Sequence, residues 1–186
     1  VLSCGIAFAA DNASIEGKEK ITRNGVSIYL EPNSQLKKKY LDGKLDEALI
    51  NLKKAYEKEM NNKEMRAPAP PVTQVFIEYV ISQQGGEEKL DFGQTITKKD
   101  HGGNPFQVIT SVKGYGGSTT DKASFAGNQA SMIDIAGLDL NGDKIIDGWA
   151  ELWDISKPAN TSGNFEYTAR SINAPGNSMS VGIQIR

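Results

Sequence analysis

Hydrophobic periodicity divides the chain near residue 67. After Pro32-Asn33-Ser34, the residues Leu41, Leu45, Ala48, Leu49, Leu52, Ala55 and Tyr56 recur at helical spacing on one face. Lys37-Lys38-Lys39, Lys53-Lys54, Glu57 and Glu59 fall mostly on the other face. This pattern predicts a helix with Ser34 as its N-cap and with Gly43 weakening its first turns. The polar face mixes Lys with Glu, so the helix is expected to pack on the rest of the chain rather than on a membrane surface or a separate partner. The preceding stretch, 15–31, is mixed and carries a turn signal at Arg23-Asn24-Gly25.

The texture then changes. Pro68, Pro70 and Pro71 in Ala67-Pro68-Ala69-Pro70-Pro71 cannot continue a helix or join a central strand, and they favour a stiff, extended spacer. Residues 72–82 alternate, with Val75, Ile77, Tyr79 and Ile81 on one expected face and Phe76 and Val80 on the other. Apolar groups on both faces suit an inner strand of a two-layer structure. Gln84-Gly85-Gly86-Glu87 reads as a turn. Further strands are expected at 90–97, 106–113, 130–138, 148–155, 164–172 and 178–185, separated by Gly- and Asn-rich turns. Seven short strands argue for a mainly β fold, an antiparallel sandwich or barrel-like domain preceded by a helical N-terminal region. The expected division is 10–66 helical, 67–71 linker and 72–186 β-sandwich. There is no Walker loop, dinucleotide-binding glycine fingerprint or βαβ rhythm.

The first ten residues alter the expected compartment. Val1 to Phe8 is largely apolar, Ala7-Phe8-Ala9 has the small-x-small form of a signal-peptidase site, and Asp11-Asn12 turns polar. Residues 1–9 therefore read as the remnant of a secretory signal, with cleavage after Ala9. A buried N-terminal element and a lipoprotein signal acylated at Cys4 are the alternatives. Cys4 is the sole cysteine, so cleavage leaves no thiol and no disulfide. No transmembrane segment is expected.

Charge adds little. The chain has 21 basic and 23 acidic side chains and a net charge of −2. The front is mildly basic and the back mildly acidic, which makes no electrostatic case for a nucleic-acid partner.

The strongest chemical constellation is Asp139-Leu140-Asn141-Gly142-Asp143-Lys144-Ile145-Ile146-Asp147. Asp139, Asn141, Asp143 and Asp147 offer oxygen at loop offsets 1, 3, 5 and 9, and Ile145 offers its carbonyl at offset 7. That is the ligand spacing of a calcium loop. It departs from an EF-hand at Lys144, where Gly is usual, and at Ala150, where the bidentate Glu would stand; Glu151 lies one place late. The segment therefore reads either as a Ca2+ loop between two strands or as an acidic Asn-Gly-Asp hairpin turn.

His101, the sole histidine, lies in a glycine loop and reads either as a general base or ligand contact or as a hydrogen-bonding loop residue. One His and one Cys exclude zinc sites built on those residues. Glu78, Asp134, Glu151, Asp154 and Glu166 lie in strand-like segments, where a converging pair could serve glycoside hydrolysis. Trp149 and Trp153 share a strand face and, with Phe165 and Tyr167, form either a sugar platform or buried core.

Several short motifs carry a resemblance. They are Ala67 to Pro71 leading into 75–80, His101-Gly102-Gly103, Gly114-Tyr115-Gly116, Asp147-Gly148-Trp149 with Trp153-Asp154, and Ser171-Ile172-Asn173 with Asn177-Ser178-Met179. Over about 67–186 the chain resembles the YolA family of small secreted bacterial proteins of unknown function. The resemblance implies export, supplies no activity, and draws attention to His101 and the strand at 148–154. The leading expectation is a secreted, non-enzymatic β-sandwich interaction module, calcium-stabilised, that binds a surface glycan or protein. One alternative is a secreted hydrolase using carboxylates or His101. Another is a toxin or competition factor whose N-terminal region is a removable pro-segment.

Overall fold

The computed structural model describes residues 15–61, 71–114, 120–156, 162–171 and 177–186. The expected signal and most of the proline linker lie outside them. Among the described residues the fold is mainly β, with two antiparallel sheets, two helices near the N-terminus and no closed barrel.

The N-terminal stretch holds more than helix. Strands β1 (Glu19–Arg23) and β2 (Val26–Leu30) form a hairpin. Asn24 and Gly25 both adopt positive φ, 51° and 73°, as a two-residue turn matching the strand twist requires. The turn signal was legible; the strands beside it were not. The expected single helix is broken in two: α1 spans Gln35–Leu41 and α2 spans Asp46–Met60. The break falls at Gly43, whose φ of 73° ends α1. Leu41, assigned to the apolar face, is turned outward and is 56% exposed.

Ser34 caps α1 as expected, accepting from the Lys37 N–H at 3.2 Å. Asp134, from the opposing strand, accepts from Ser34 Oγ at 2.7 Å and the Leu36 N–H at 2.9 Å. Arg23 clamps Asp46 at the start of α2 through two bonds of 2.7 and 2.6 Å.

The remaining strands are β3 (Gln74–Ser82), β4 (Gly86–Lys89), β5 (Phe106–Lys113), β6 (Lys122–Phe125), β7 (Asn128–Gln129), β8 (Ser131–Asp139), β9 (Gly148–Asp154), β10 (Gly163–Arg170) and β11 (Ser178–Ile185). The larger sheet runs β1-β2-β8-β9-β5-β3-β4 and the smaller one β11-β10-β6-β7. The N-terminal hairpin is thus the edge of the larger sheet, paired through β2 to β8. The helical region read from sequence as a separate element is built into the same sheet system.

The larger sheet is apolar on both sides. One face carries Val108, Val112, Trp149 and Trp153 toward Phe125, Phe165, Tyr167 and Ile183 of the smaller sheet. The other carries Ile28, Ile109, Leu138 and Leu152 toward Leu36, Tyr40, Leu49 and Leu52 of the helices. Truncating Leu49 or Leu52 to Ala would cost about 2–5 kcal/mol.

Two strand expectations need correction. The 72–82 alternation does not run unbroken, because the β3–β5 register shifts between Ile77 and Tyr79, making Glu78 an extra residue. Phe76, Tyr79 and Ile81 consequently face the helices, whereas Val75, Ile77 and Val80 face the smaller sheet. Residues 90–97 form no strand; they touch β11 through one isolated bridge, Ile96 to Gln184. A turn intervenes, closed by the Gln94 N–H on the Asp91 carbonyl at 3.0 Å.

Candidate functional site

Three groups of polar side chains carry potential chemistry. The first is the β8–β9 loop. Asp139 ends β8 and Asp147 immediately precedes β9; both are buried, while Asp143 stands exposed between them. Their carboxylates converge so that one oxygen from each lies within 4.8 Å of the others. The backbone wraps them: Asp139 Oδ1 accepts from the Gly142 N–H at 2.6 Å and Oδ2 from the Lys144 N–H at 3.1 Å. Asp147 Oδ2 accepts from the Leu140 N–H at 2.9 Å, and Asp143 Oδ1 from the Ile145 N–H at 2.9 Å.

Lys144, the departure from a calcium loop that the sequence raised, adopts φ 69°, the left-handed conformation usually supplied there by Gly. Asn141 lies in the loop, but its Oδ1 accepts from the Asp143 N–H at 2.8 Å and its amide donates to Asp143 at 2.9 Å and to Tyr56 Oη at 2.7 Å. The Tyr56 contact ties the loop to α2, a link no local motif announced. Three converging carboxylates are hard-oxygen donors of the kind that divalent cations such as Ca2+ take.

The second group surrounds His101. Its Nδ1 is 2.9 Å from Ser82 Oγ and its Nε2 is 3.2 Å from Glu88 Oε2. Ser, His and Glu thus form a relay, with partners supplied by the end of β3 and by β4. The relay is sealed: Ser82, Glu88 and His101 are 4%, 5% and 1% exposed. Ser82 Oγ also accepts from the Gly85 N–H at 2.9 Å. Phe106 stacks along the imidazole with centroids 6.5 Å apart.

Glu88 is saturated with donors. Oε1 accepts from the Lys98 N–H at 2.8 Å and Gln94 Nε2 at 3.0 Å, and Oε2 from the Lys99 N–H at 2.8 Å. Desolvation pushes its pKa up, but the Lys98 and Lys99 amides, Gln94 and His101 together outweigh it and hold it below the usual value. The His101 backbone N–H donates to the Arg186 carbonyl, which ties the His101 loop to the residue that follows β11. Neither Ser82 nor Glu88 was singled out in the sequence, because each lies more than ten residues from His101 and only the hairpin brings them together.

The third group is inside the sandwich. Trp149 and Trp153 do share a face, but it is the buried face between the sheets, as it is for Phe165 and Tyr167. They are core, not a surface platform for sugar. Glu151 lies between the two tryptophans, fully buried. Thr110 Oγ1 approaches it at 3.4 Å and in turn accepts from Trp153 Nε1 at 2.9 Å. Asp121 accepts from Tyr167 Oη at 3.2 Å and the Arg170 N–H at 3.0 Å. Glu151 Oε1 has no hydrogen-bond partner among the described residues. Burial first, then the neighbouring Asp121, pushes the Glu151 pKa well up, against weaker help from Tyr167 and Thr110.

The other strand carboxylates have separate duties. Asp134 caps α1, Asp154 binds the Ser156 N–H at 3.0 Å, Glu78 sits in the β3 bulge, and Glu166 is exposed on β10.

Residues 67–185, well over half of the chain, match a family model described as a domain of unknown function, DUF4879. No curated protein and no solved structure matches the chain.

Proposed function

The chain belongs to the DUF4879 family, and from its geometry we propose that it is an exported, non-enzymatic β-sandwich interaction module stabilised by one Ca2+ in the β8–β9 loop. The observation that carries this reading is the convergence of Asp139, Asp143 and Asp147, with Lys144 in the backbone conformation a calcium loop needs. The three carboxylates would hold the ion, with the Ile145 carbonyl and Asn141 completing the shell after the Asn141 amide turns. The bound ion supplies positive charge that offsets carboxylate repulsion and staples β8 to β9. In a chain that loses its only cysteine with its signal, such an ion takes the place of a disulfide. The expected partner is a glycan or protein at or beyond the cell surface, consistent with the resemblance to the secreted YolA proteins.

Calorimetric titration of the full chain with CaCl2 tests the ion: saturable one-site binding that Asp143→Ala abolishes supports it, and heats no larger than dilution reject it. A glycan array then tests the partner, and uniform silence there counts against the glycan.

The Ser82–His101–Glu88 relay favours a hydrolase as the second reading. The enclosure of Ser82, and its acceptance of the Gly85 N–H, support a structural role for the relay instead. An esterase or peptidase activity lost in Ser82→Ala, with the fold retained, would reverse that preference. The removable pro-segment has less support. Excision before residue 67 would strip β1 and β2 from the sheet and uncover Ile109, Leu138 and Leu152.

A further inference from the structure

Among the described residues, β4 pairs with Tyr79–Ser82 and residues 74–78 of β3 have a strand partner in β5 alone, while the Leu90 N–H donates to the Glu78 carbonyl at 3.0 Å. Beside this open edge lies a cavity of about 380 Å3, walled by α2, β3, the 89–95 segment and β11. That volume suits a small molecule.

Its lining has two characters. Val75, Ile77, Leu90 and Val181 are apolar, and Phe76 and Phe92 add two rings with centroids 6.0 Å apart at 57°. Phe92 is 92% exposed. Standing exposed at the cavity, the Phe92 ring is available to the apolar body of a ligand.

Glu78 supplies the second character. The β3 bulge inserts it into the lining, where Ser111 Oγ donates to Oε1. Burial pushes its pKa up, opposed by Ser111 and Lys89. The other charges around the cavity are spent: Lys89 pairs with Glu47, and Asp91 with Lys98 at 2.5 Å. Gln94 is also committed, its amide donating to Glu88 and the Ile96 carbonyl and its oxygen accepting from the Asp91 N–H. Among the described lining residues, Glu78 is the carboxyl with no cationic side chain in ion-pair contact.

An anion is repelled by this arrangement. A sugar needs several uncommitted donors and acceptors inside the cavity; Gln94 is committed, and the other polar amide and hydroxyl side chains of the lining, Asn51 and Thr95, are exposed. A cation is attracted twice, by the carboxylate and by the faces of the two rings. We propose that this cavity binds a small organic ammonium ion with an apolar or aromatic body, the ammonium on Glu78 and the body against Phe76 and Phe92. The inference goes beyond the calcium and surface-partner reading and does not depend on it.

The test is a titration of the full chain with 2-phenylethylammonium, followed by amide chemical shifts, with 3-phenylpropionate as the anionic counterpart. Saturable shifts at 47–51, 75–78, 89–95 and 181–182 are expected, with the anion at least about tenfold weaker. Glu78→Gln keeps an acceptor for Ser111 and should weaken the ammonium about tenfold. Phe92→Ala, at an exposed position that leaves the fold intact, should weaken it about threefold or more. Absence of saturation, shifts confined elsewhere, equal binding of the anion, or wild-type affinity in either variant overturns the proposal. Should Glu78→Gln fail to fold, the anion comparison and Phe92→Ala decide.

Discussion

Carboxylates crowd together in two places, and the protein handles them in opposite ways. At the β8–β9 loop, Asp139, Asp143 and Asp147 converge where Asp143 reaches solvent, and backbone N–H groups point at their oxygens. In the sandwich core, Glu151 and Asp121 meet among Trp153, Tyr167 and Thr110, out of reach of water. An ionised carboxylate is tolerable in the first setting because donors, and on our reading a cation, compensate it. In the second it is not, and burial together with the neighbouring Asp121 pushes the Glu151 pKa well above the ordinary glutamate value. Glu88 marks a third condition: as buried as the core pair, it is held ionised by four donors. Donor supply, rather than depth, decides the charge state.

The largest effect should come from Glu88. Replacing it with Ala leaves the Lys98 and Lys99 amides, Gln94 and His101 without their acceptor, at a cost of about 3–5 kcal/mol, to be read from chemical denaturation. A loss below about 1 kcal/mol would mean that solvent satisfies these donors and that the relay is not sealed.

Calcium should rank second and act on the loop alone. At a hundredfold excess over its dissociation constant it would add about 2.7 kcal/mol. Glu151→Gln should leave that increment intact, since it touches only the core pair.

The core pair should show itself through pH instead. The Glu151 pKa is raised on folding, so its contribution is fully present below the ordinary glutamate range and is lost as pH rises through the folded value. In that window the unfolded chain releases a proton that the folded chain retains, and stability falls by up to about 1.4 kcal/mol per pH unit. Glu151→Gln should flatten the slope, and an unchanged slope in denaturation series from pH 5 to 8 would assign it elsewhere. Smallest is the cap: Asp134→Ala should cost about 1 kcal/mol by releasing the Leu36 N–H and Ser34, measured by the same denaturation.

The sequence disclosed some of these features and hid others for physical reasons. β5 and β11 lie at the expected residues, because each is a short alternating run bounded by turn residues. Ser34 was legible because N-capping is local. The β1–β2 hairpin was not, since Glu19–Arg23 is polar and gains its place only by pairing with β2. One extra residue at Glu78 reversed the expected faces at the start of β3, and alternation cannot announce a bulge. Residues 90–97 imitate a strand because Leu90, Phe92 and Ile96 share parity, yet Phe92 is exposed beside a cavity. Among chemical residues, the acidic loop was readable because its oxygens lie close in sequence. The His101 relay and the Glu151–Asp121 pair were not, because the members of each lie far apart in sequence and only the folded sheets bring them together.

Thermal unfolding of the full chain and of Asp143→Ala, each in millimolar CaCl2 and in chelator, tests the calcium-stapled β8–β9 loop most directly. The expected result is a midpoint several degrees higher with calcium for the wild-type chain, and none of that rise in Asp143→Ala. Identical midpoints for the wild-type chain in calcium and in chelator would contradict the account and leave the loop an acidic turn held by its own backbone.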